Sequence, residues 1–192
     1  MGLWESLTGR SRAPAPKLDS LFAVPSAALT LEAALGLRPT GSGSVCFRAP
    51  DTAAYDEVQR DVLALLGADD DAPAVEVTRD SFGFTWLVVA GDPADTGGLC
   101  TDLHAVNTTL ADEGFGHGLL CTLVPFADAT GCRVGLVYLY KQGTFYPFAP
   151  ASSGGQARNN LTEIAVRDAL AAELPMEKDL QRWLALHGAP GL

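Results

Sequence analysis

Residues 119–148 read Leu-Leu-Cys-Thr-Leu-Val-Pro-Phe-Ala-Asp-Ala-Thr-Gly-Cys-Arg-Val-Gly-Leu-Val-Tyr-Leu-Tyr-Lys-Gln-Gly-Thr-Phe-Tyr-Pro-Phe. Two apolar runs, Leu119–Phe126 and Arg133–Tyr140, flank Asp128-Ala129-Thr130-Gly131. Turn residues between two such runs predict an antiparallel hairpin. A shorter run, Phe145–Phe148, follows a turn at Gly143. Pro147 has no N–H to give to a ladder, so this run is predicted to lie at a sheet edge. The same segment carries Tyr138, Tyr140 and Tyr146, three of the four tyrosines of the chain. So much aromatic surface near a loop predicts packing or binding there.

Outward from this hairpin, strands and helices alternate in blocks. Upstream, Asp19 caps a short helix through Phe22 and Ala23 in this reading. Pro25 interrupts it, and a second helix runs from Ser26 to Gly36. Ser44–Arg48 reads as a strand. Tyr55, Val58, Val62 and Leu65 fall at helical spacing after Pro50. Val75 and Val77 alternate with Glu76 and Thr78, the pattern of a half-exposed strand, and Asp80–Gly83 turns the chain into Phe84–Ala90. Leu99, Leu103, Val106 and Leu110 make an amphipathic helix closed by Gly114. The spacing predicts two last helices, from about Asn159 to Glu173 and from Glu177 to His187. Strands arranged as hairpins, with helices before, between and after them, predict an α+β fold. Its antiparallel sheet should carry helices mainly on one face.

The chain has 192 residues and a net charge of −10. Its length suits one domain over residues 18–192, preceded by an N-terminal amphipathic turn and Pro-rich linker over residues 1–17. The acidic balance lacks the basic footprint of a nucleic-acid binder. It also disfavours general adhesion to anionic lipid, so membrane contact is expected to be at most peripheral, through residues 1–17. There Leu3, Trp4 and Leu7 share one side, with Arg10, Arg12 and Lys17 nearby. The opening Met-Gly-Leu-Trp-Glu-Ser also fits the short myristoylation pattern. No apolar run approaches the ~20 residues needed to span a bilayer. Four cysteines, at 46, 100, 121 and 132, follow no signal peptide and are expected to be reduced thiols of a cytoplasmic protein. Deleting residues 1–17 is expected to leave the melting temperature unchanged, because so short an apolar face is unstable alone. It should weaken partner or membrane recruitment, and equal recruitment of truncated and full-length chains would remove that role.

Few residues suggest chemistry. Cys100 and His104 are four apart and share a helical face, and Cys121 and Cys132 flank the neighbouring hairpin. Four N/S ligands would suit zinc, yet no Cys-x-x-Cys or His-x₃-His spacing occurs. A Cys–His nucleophile pair drawn from Cys100 or Cys121 with His104 or His117 has no local activating signature. Gly41–Ser44 precedes a strand rather than opening a helix, and Ser152–Gly155 has no lysine at P-loop spacing, so neither reads as a phosphate cradle. No metal or cofactor is expected. Asn107 is costly inside a helix, which predicts a hydrogen bond to a loop or strand edge, or, with His104, a clamp on residues 141–148 or a partner-binding spot.

Several stretches together resemble one family. Gly2-Leu3-Trp4, Leu7-Thr8-Gly9, Leu18-Asp19 through Pro25, and Gly43-Ser44-Val45-Cys46 belong to the likeness. So do Phe82-Gly83-Phe84-Thr85-Trp86, Asp102 through Asn107, Tyr138 through Phe148, and the closing Gly188-Ala189-Pro190-Gly191-Leu192. They resemble the PspA-associated PspAB family, which accompanies the phage-shock protein PspA in actinobacteria and archaea. The resemblance implies an accessory role in the envelope-stress response, with PspA or another component of that response as partner. It implies no catalytic residues. The element order also resembles the YbjN and type III secretion chaperone-like fold, a class of small partner-binding domains.

The reading is therefore a non-enzymatic adaptor, cytoplasmic and recruited to the inner face of the membrane. Its candidate partner contacts are Trp4, His104, Asn107, Lys141, Phe145, Tyr146 and Phe148, with residues 141–148 as a rigid apolar ledge. The aromatics would otherwise seal the sheet edge under the C-terminal helices. Two further alternatives are a small cysteine/histidine- or metal-dependent enzyme, and a regulatory domain binding a small ligand below the aromatic segment.

Overall fold

The computed structural model describes residues 17–48, 73–151 and 155–192, together with Arg60, Leu63 and Ala64. The expected N-terminal turn with Trp4 and most of the helix expected after Pro50 lie outside these residues. Seven strands form one open antiparallel sheet: β1 (Arg38–Pro39), β2 (Ser42–Phe47), β3 (Val75–Arg79), β4 (Thr85–Ala90), β5 (Leu119–Ala127), β6 (Arg133–Leu139) and β7 (Thr144–Phe148). Their order is β3-β4-β2-β5-β6-β7, with β1 also pairing β5. Three α-helices accompany them among the described residues: α1 (Val24–Leu35), α2 (Thr96–Asp112) and α3 (Asn160–Leu170). The α+β fold expected from the sequence is present.

The 119–148 stretch folds as read. β5 and β6 pair from Cys121–Leu139 to Ala127–Arg133. Asp128 ties the turn, its Oδ1 accepting from the N–H groups of Thr130 and Cys132 and from the Thr130 hydroxyl. This holds its carboxyl below the ordinary range, with the Thr130 hydroxyl as the largest influence. β7 pairs β6 on one side, and Pro147 sits on this outer strand. Gly135 of β6 is required by close approach: a Cβ there would lie 2.5 Å from Leu123 Cδ1.

Helices cover one face. Leu21, Leu31, Leu99, Leu103, Val106, Val166 and Leu170 join Val45, Leu87, Phe126, Leu136 and Phe145 in the main core. Pro25 does not interrupt the first helix as expected. A 3-10 turn, Leu18–Ala23, runs directly into α1 with Pro25 in its first turn, where a missing N–H costs no intrahelical bond. Gly36, at φ 68, ends α1 in the left-handed conformation. Leu18–Leu35 thereby becomes long and apolar enough, with mean hydropathy 1.3, to cross a membrane. That corrects the expectation that no stretch approaches such a length, although Leu21, Val24, Ala27 and Leu31 are spent on the core.

The second face is closed differently from the expectation. No helix spans 177–187; a 3-10 turn, Leu180–Arg182, sits in an otherwise irregular strap over residues 175–192. Its backbone is held by side chains of the sheet side. The Tyr146 hydroxyl donates to Leu184 O at 3.1 Å, Arg158 Nη1 donates to Trp183 O, and Arg133 Nη1 donates to Gly191 O at 2.9 Å. Trp183 O, which a helix over 177–187 would turn to residue 187, is given to Arg158 instead, and the other two bonds tie the strap to the sheet. Beneath the strap lies a second apolar cluster of Cys46, Trp86, Cys121, Leu123, Val137, Tyr146, Phe148 and Trp183.

Candidate functional site

Between the strap and the second face of the sheet lies an apolar cavity of about 530 Å³. Trp86, Cys46 and Cys121 form much of its floor, Leu139 and Tyr146 one wall, and Leu184 to His187 the strap side. Its size falls in the range of small-molecule sites. Asp80, at the β3–β4 turn, builds one end. Its Oδ1 accepts from the N–H groups of Phe82 and Phe84 at 2.9 and 3.0 Å, and its Oδ2 accepts from Trp86 Nε1 at 2.9 Å. One carboxylate thus fixes both the turn and the indole that forms the floor.

Lys141 and Gln142 stand at the other end, on the β6–β7 turn, where Gly143 N–H closes back on Leu139 O at 2.8 Å. Lys141 is exposed. The aromatic residues beside it are not, which corrects the expected ledge. Phe145, Tyr146 and Phe148 are at most 1% exposed. Phe145 turns to the helical face and meets Tyr138 at 5.1 Å between ring centroids. Tyr146 and Phe148 point to the strap, where Tyr146 stacks on Trp183 at 5.9 Å and Phe148 meets His187 edge-on at 5.0 Å. Both faces of β7 are covered, so alternation on this strand divides two cores rather than core from solvent. The alternative reading, aromatics sealing the sheet edge under the C-terminal segment, describes them.

His104 and Asn107 lie on α2, remote from this cavity's lining. Asn107 is fully buried, and its Nδ2 donates to Leu103 O at 2.8 Å and to Thr122 Oγ1 at 2.9 Å. It pins α2 to the central strand β5 rather than to a sheet edge or residues 141–148. His104 packs on Phe22 at 4.9 Å, with its Nε2 3.5 Å from Asp19 Oδ1. Both residues brace the fold, and Asn107 is not a surface contact.

The cysteines are all free. Cys46 and Cys121 sit opposite each other on β2 and β5. The hydrogen bond that the Cys46 thiol gives to Cys121, followed by burial, raises the pKa of Cys46 far above the ordinary thiol range. Burial pushes Cys100 up to about 11 and raises Cys132 as well. Protonated thiols are poor nucleophiles and poor ligands. Among the described residues no group of three or more His, Cys, Asp or Glu is placed to hold a metal.

Glu177 anchors the strap and makes it acid-sensitive. Desolvation pushes its carboxyl up, but Asp179 N–H, the Thr144 hydroxyl and Arg182 together outweigh this and hold it below its ordinary 4.5. A depressed folded value means stability that is present above the unfolded value and lost as pH falls through the folded one. Trp183, whose Nε1 donates to Glu177 O, reports the change. Its fluorescence should begin to shift only once pH drops below about 4.5, and Glu177→Gln should flatten that acid transition. An identical transition in the variant would exclude Glu177 as its source.

Sequence reading did not identify Asp80, Cys46, Arg182 or the strap residues as site-forming. The available signal was lysine placement: the chain has three lysines, and Lys141 and Lys178 both border the strap. No curated protein and no solved structure matches the chain, so the likeness to YbjN and type III secretion chaperones gains no structural counterpart. The family model described as PspA associated protein B, PspAB, matches residues 1–191, and the chain belongs to that family.

Proposed function

We propose that this chain is a non-catalytic accessory protein of the PspA envelope-stress system that acts by binding a protein partner, PspA itself in the simplest case. The observation carrying this reading is a set of exposed apolar side chains around the strap. Phe82, Leu180 and Leu184 are 61%, 65% and 60% exposed; Phe82 and Leu184 line the cavity, Leu180 lines the adjoining groove, and Lys141 borders both. Large apolar residues gathered around a cleft, beside a cation, are the usual dress of a recognition surface. The association named by the family gives the partner class. Protonated buried thiols and a histidine occupied by Asp19 and Phe22 weigh against the cysteine-dependent enzyme. A cytoplasmic location, with recruitment to the inner face of the membrane, belongs to the same proposal.

Purified PspA from the same host is the probe. Wild-type chain should bind it, and the double variant Phe82→Ser/Leu180→Ser should bind at least about tenfold more weakly with an unchanged melting temperature. Equal binding by variant and wild type would move the partner surface elsewhere. No binding by either would remove PspA as the direct partner.

A further inference from the structure

The chain carries a net charge of −10, yet four cationic side chains share one groove. Lys141, Lys178, Arg167 and Arg182 line one open groove that is continuous with the mouth of the apolar cavity through Lys141, Gln142 and Arg182. The third lysine, Lys17, packs at the same turn, its Cβ 3.6 Å from where a Cβ on Gly143 would lie. Two of the protein's three lysines, Lys141 and Lys178, therefore line this groove, and Lys17 lies beside the β6–β7 turn. Their charges are not equally committed. Arg182 faces Glu177 at 3.4 Å and Asp179 at 3.5 Å, and Arg167 faces Asp168 at 2.7 Å. Lys141 and Lys178 have no ion-pair partner among the described residues. Asp80, the acidic group in the cavity wall, already has both oxygens engaged by N–H donors.

A partly open apolar cleft with an uncommitted cation among its lining residues fits one kind of molecule. We infer that the cavity beneath the strap binds a single-chain anionic amphiphile, an acyl chain bearing a carboxylate or phosphate head. The chain lies along Trp86, Leu139 and Leu184, and the head meets Lys141 with Lys178 behind it. The volume of about 530 Å³ suits one such chain rather than a folded element of a partner. The Trp86 N–H is already given to Asp80, and on the strap side His187 Nε2 is buried without a hydrogen-bond partner. A free fatty acid and the acyl chain of a membrane lipid share this chemistry.

Titration calorimetry of the full chain with octanoate, decanoate and laurate, each below its micellar concentration, tests the site. Affinity should rise about fourfold per added methylene. Laurate should bind roughly tenfold more tightly than dodecyltrimethylammonium, and Lys141→Glu should abolish that preference while leaving the melting temperature unchanged. Ala185→Trp, and Leu120→Trp as a second plug, should remove the dependence on chain length. Absence of chain-length dependence, or equal affinity for the two head charges, overturns the inference. Flotation with vesicles of phosphatidylcholine, alone or mixed with phosphatidylglycerol, separates the sources. Capture by mixed vesicles that is competed by laurate adds bilayer lipid as a source. Capture without uptake of monomeric acids places the contact on the bilayer surface and overturns the cavity assignment. Preference for an acidic amphipathic peptide over laurate at Lys141 overturns it likewise. The ligand site goes beyond partner binding, and the two fail separately: PspA binding can persist without acid uptake, and acid uptake without PspA binding.

Discussion

Replacing Trp86 by alanine is expected to lower stability by about 3–5 kcal/mol. The indole is 2% exposed and sits mid-sheet, opposite Cys46 on β2 and Thr78 on β3. Truncation removes the largest of the fully buried side chains and leaves Asp80 Oδ2 without its N–H donor. Trp86→Phe keeps the six-membered ring and loses the pyrrole volume together with the hydrogen bond to the Asp80 carboxylate, a bond worth about 1.5–3 kcal/mol. Urea denaturation measures both, with an unchanged slope showing that only stability has moved. A midpoint equal to wild type for Trp86→Ala would take residue 86 out of the core.

Glu163→Ala is expected to cost about 3–5 kcal/mol through a different route, an uncompensated charge. Glu163 is 3% exposed, and its Oε1 accepts from Arg158 Nε and from Ala149 N–H, each at 2.9 Å. Arg158 in turn donates to Trp183 O and lies 5.1 Å over the Phe148 ring. The pair therefore fastens α3, the end of β7 and the strap together. Without the carboxylate, the guanidinium remains largely enclosed by apolar groups and the Ala149 N–H loses its acceptor. The double variant Glu163→Ala/Arg158→Met should recover part of the loss, since no unpaired charge remains. A single-variant loss below about 0.5 kcal/mol would mean that water reaches the pair and that it does not hold the strap.

Local signals made the helical layer and the hairpins legible. The Asp128–Gly131 turn, the Asp80–Gly83 turn and the Gly36 stop each need only their own residues, and all three occur where the sequence places them. α2 likewise begins at the Asp95 cap and buries Leu99, Leu103, Val106 and Leu110 as its spacing requires. The strap was not legible. Leu180, Trp183 and Leu184 are spaced as on a helix, but Arg158, distant in sequence, takes the Trp183 carbonyl that a helix would use, and the Tyr146 hydroxyl ties the Leu184 carbonyl to the sheet. That misreading propagated to the site. An irregular strap has no periodic pattern, so nothing local indicates that β7 is covered twice, and its aromatics read as surface. Lys141 and Leu184 come to one cavity only through that strap.

The strap also has a temporal meaning. Residues 175–192 leave the ribosome after all seven strands, and domains generally begin to fold from their N-terminal side during synthesis. Until the strap arrives, the sheet presents Trp86, Leu123, Val137, Tyr146 and Phe148 uncovered. The outer edge of β7 stays open as well, because Phe145 N–H waits for Pro175 O and Phe145 O waits for Glu177 N–H. A nascent chain is thus a sticky, edge-exposed sheet that becomes inert when the strap closes over it. Translation stalled before Trp183 would release the form that chaperones and proteases recognise.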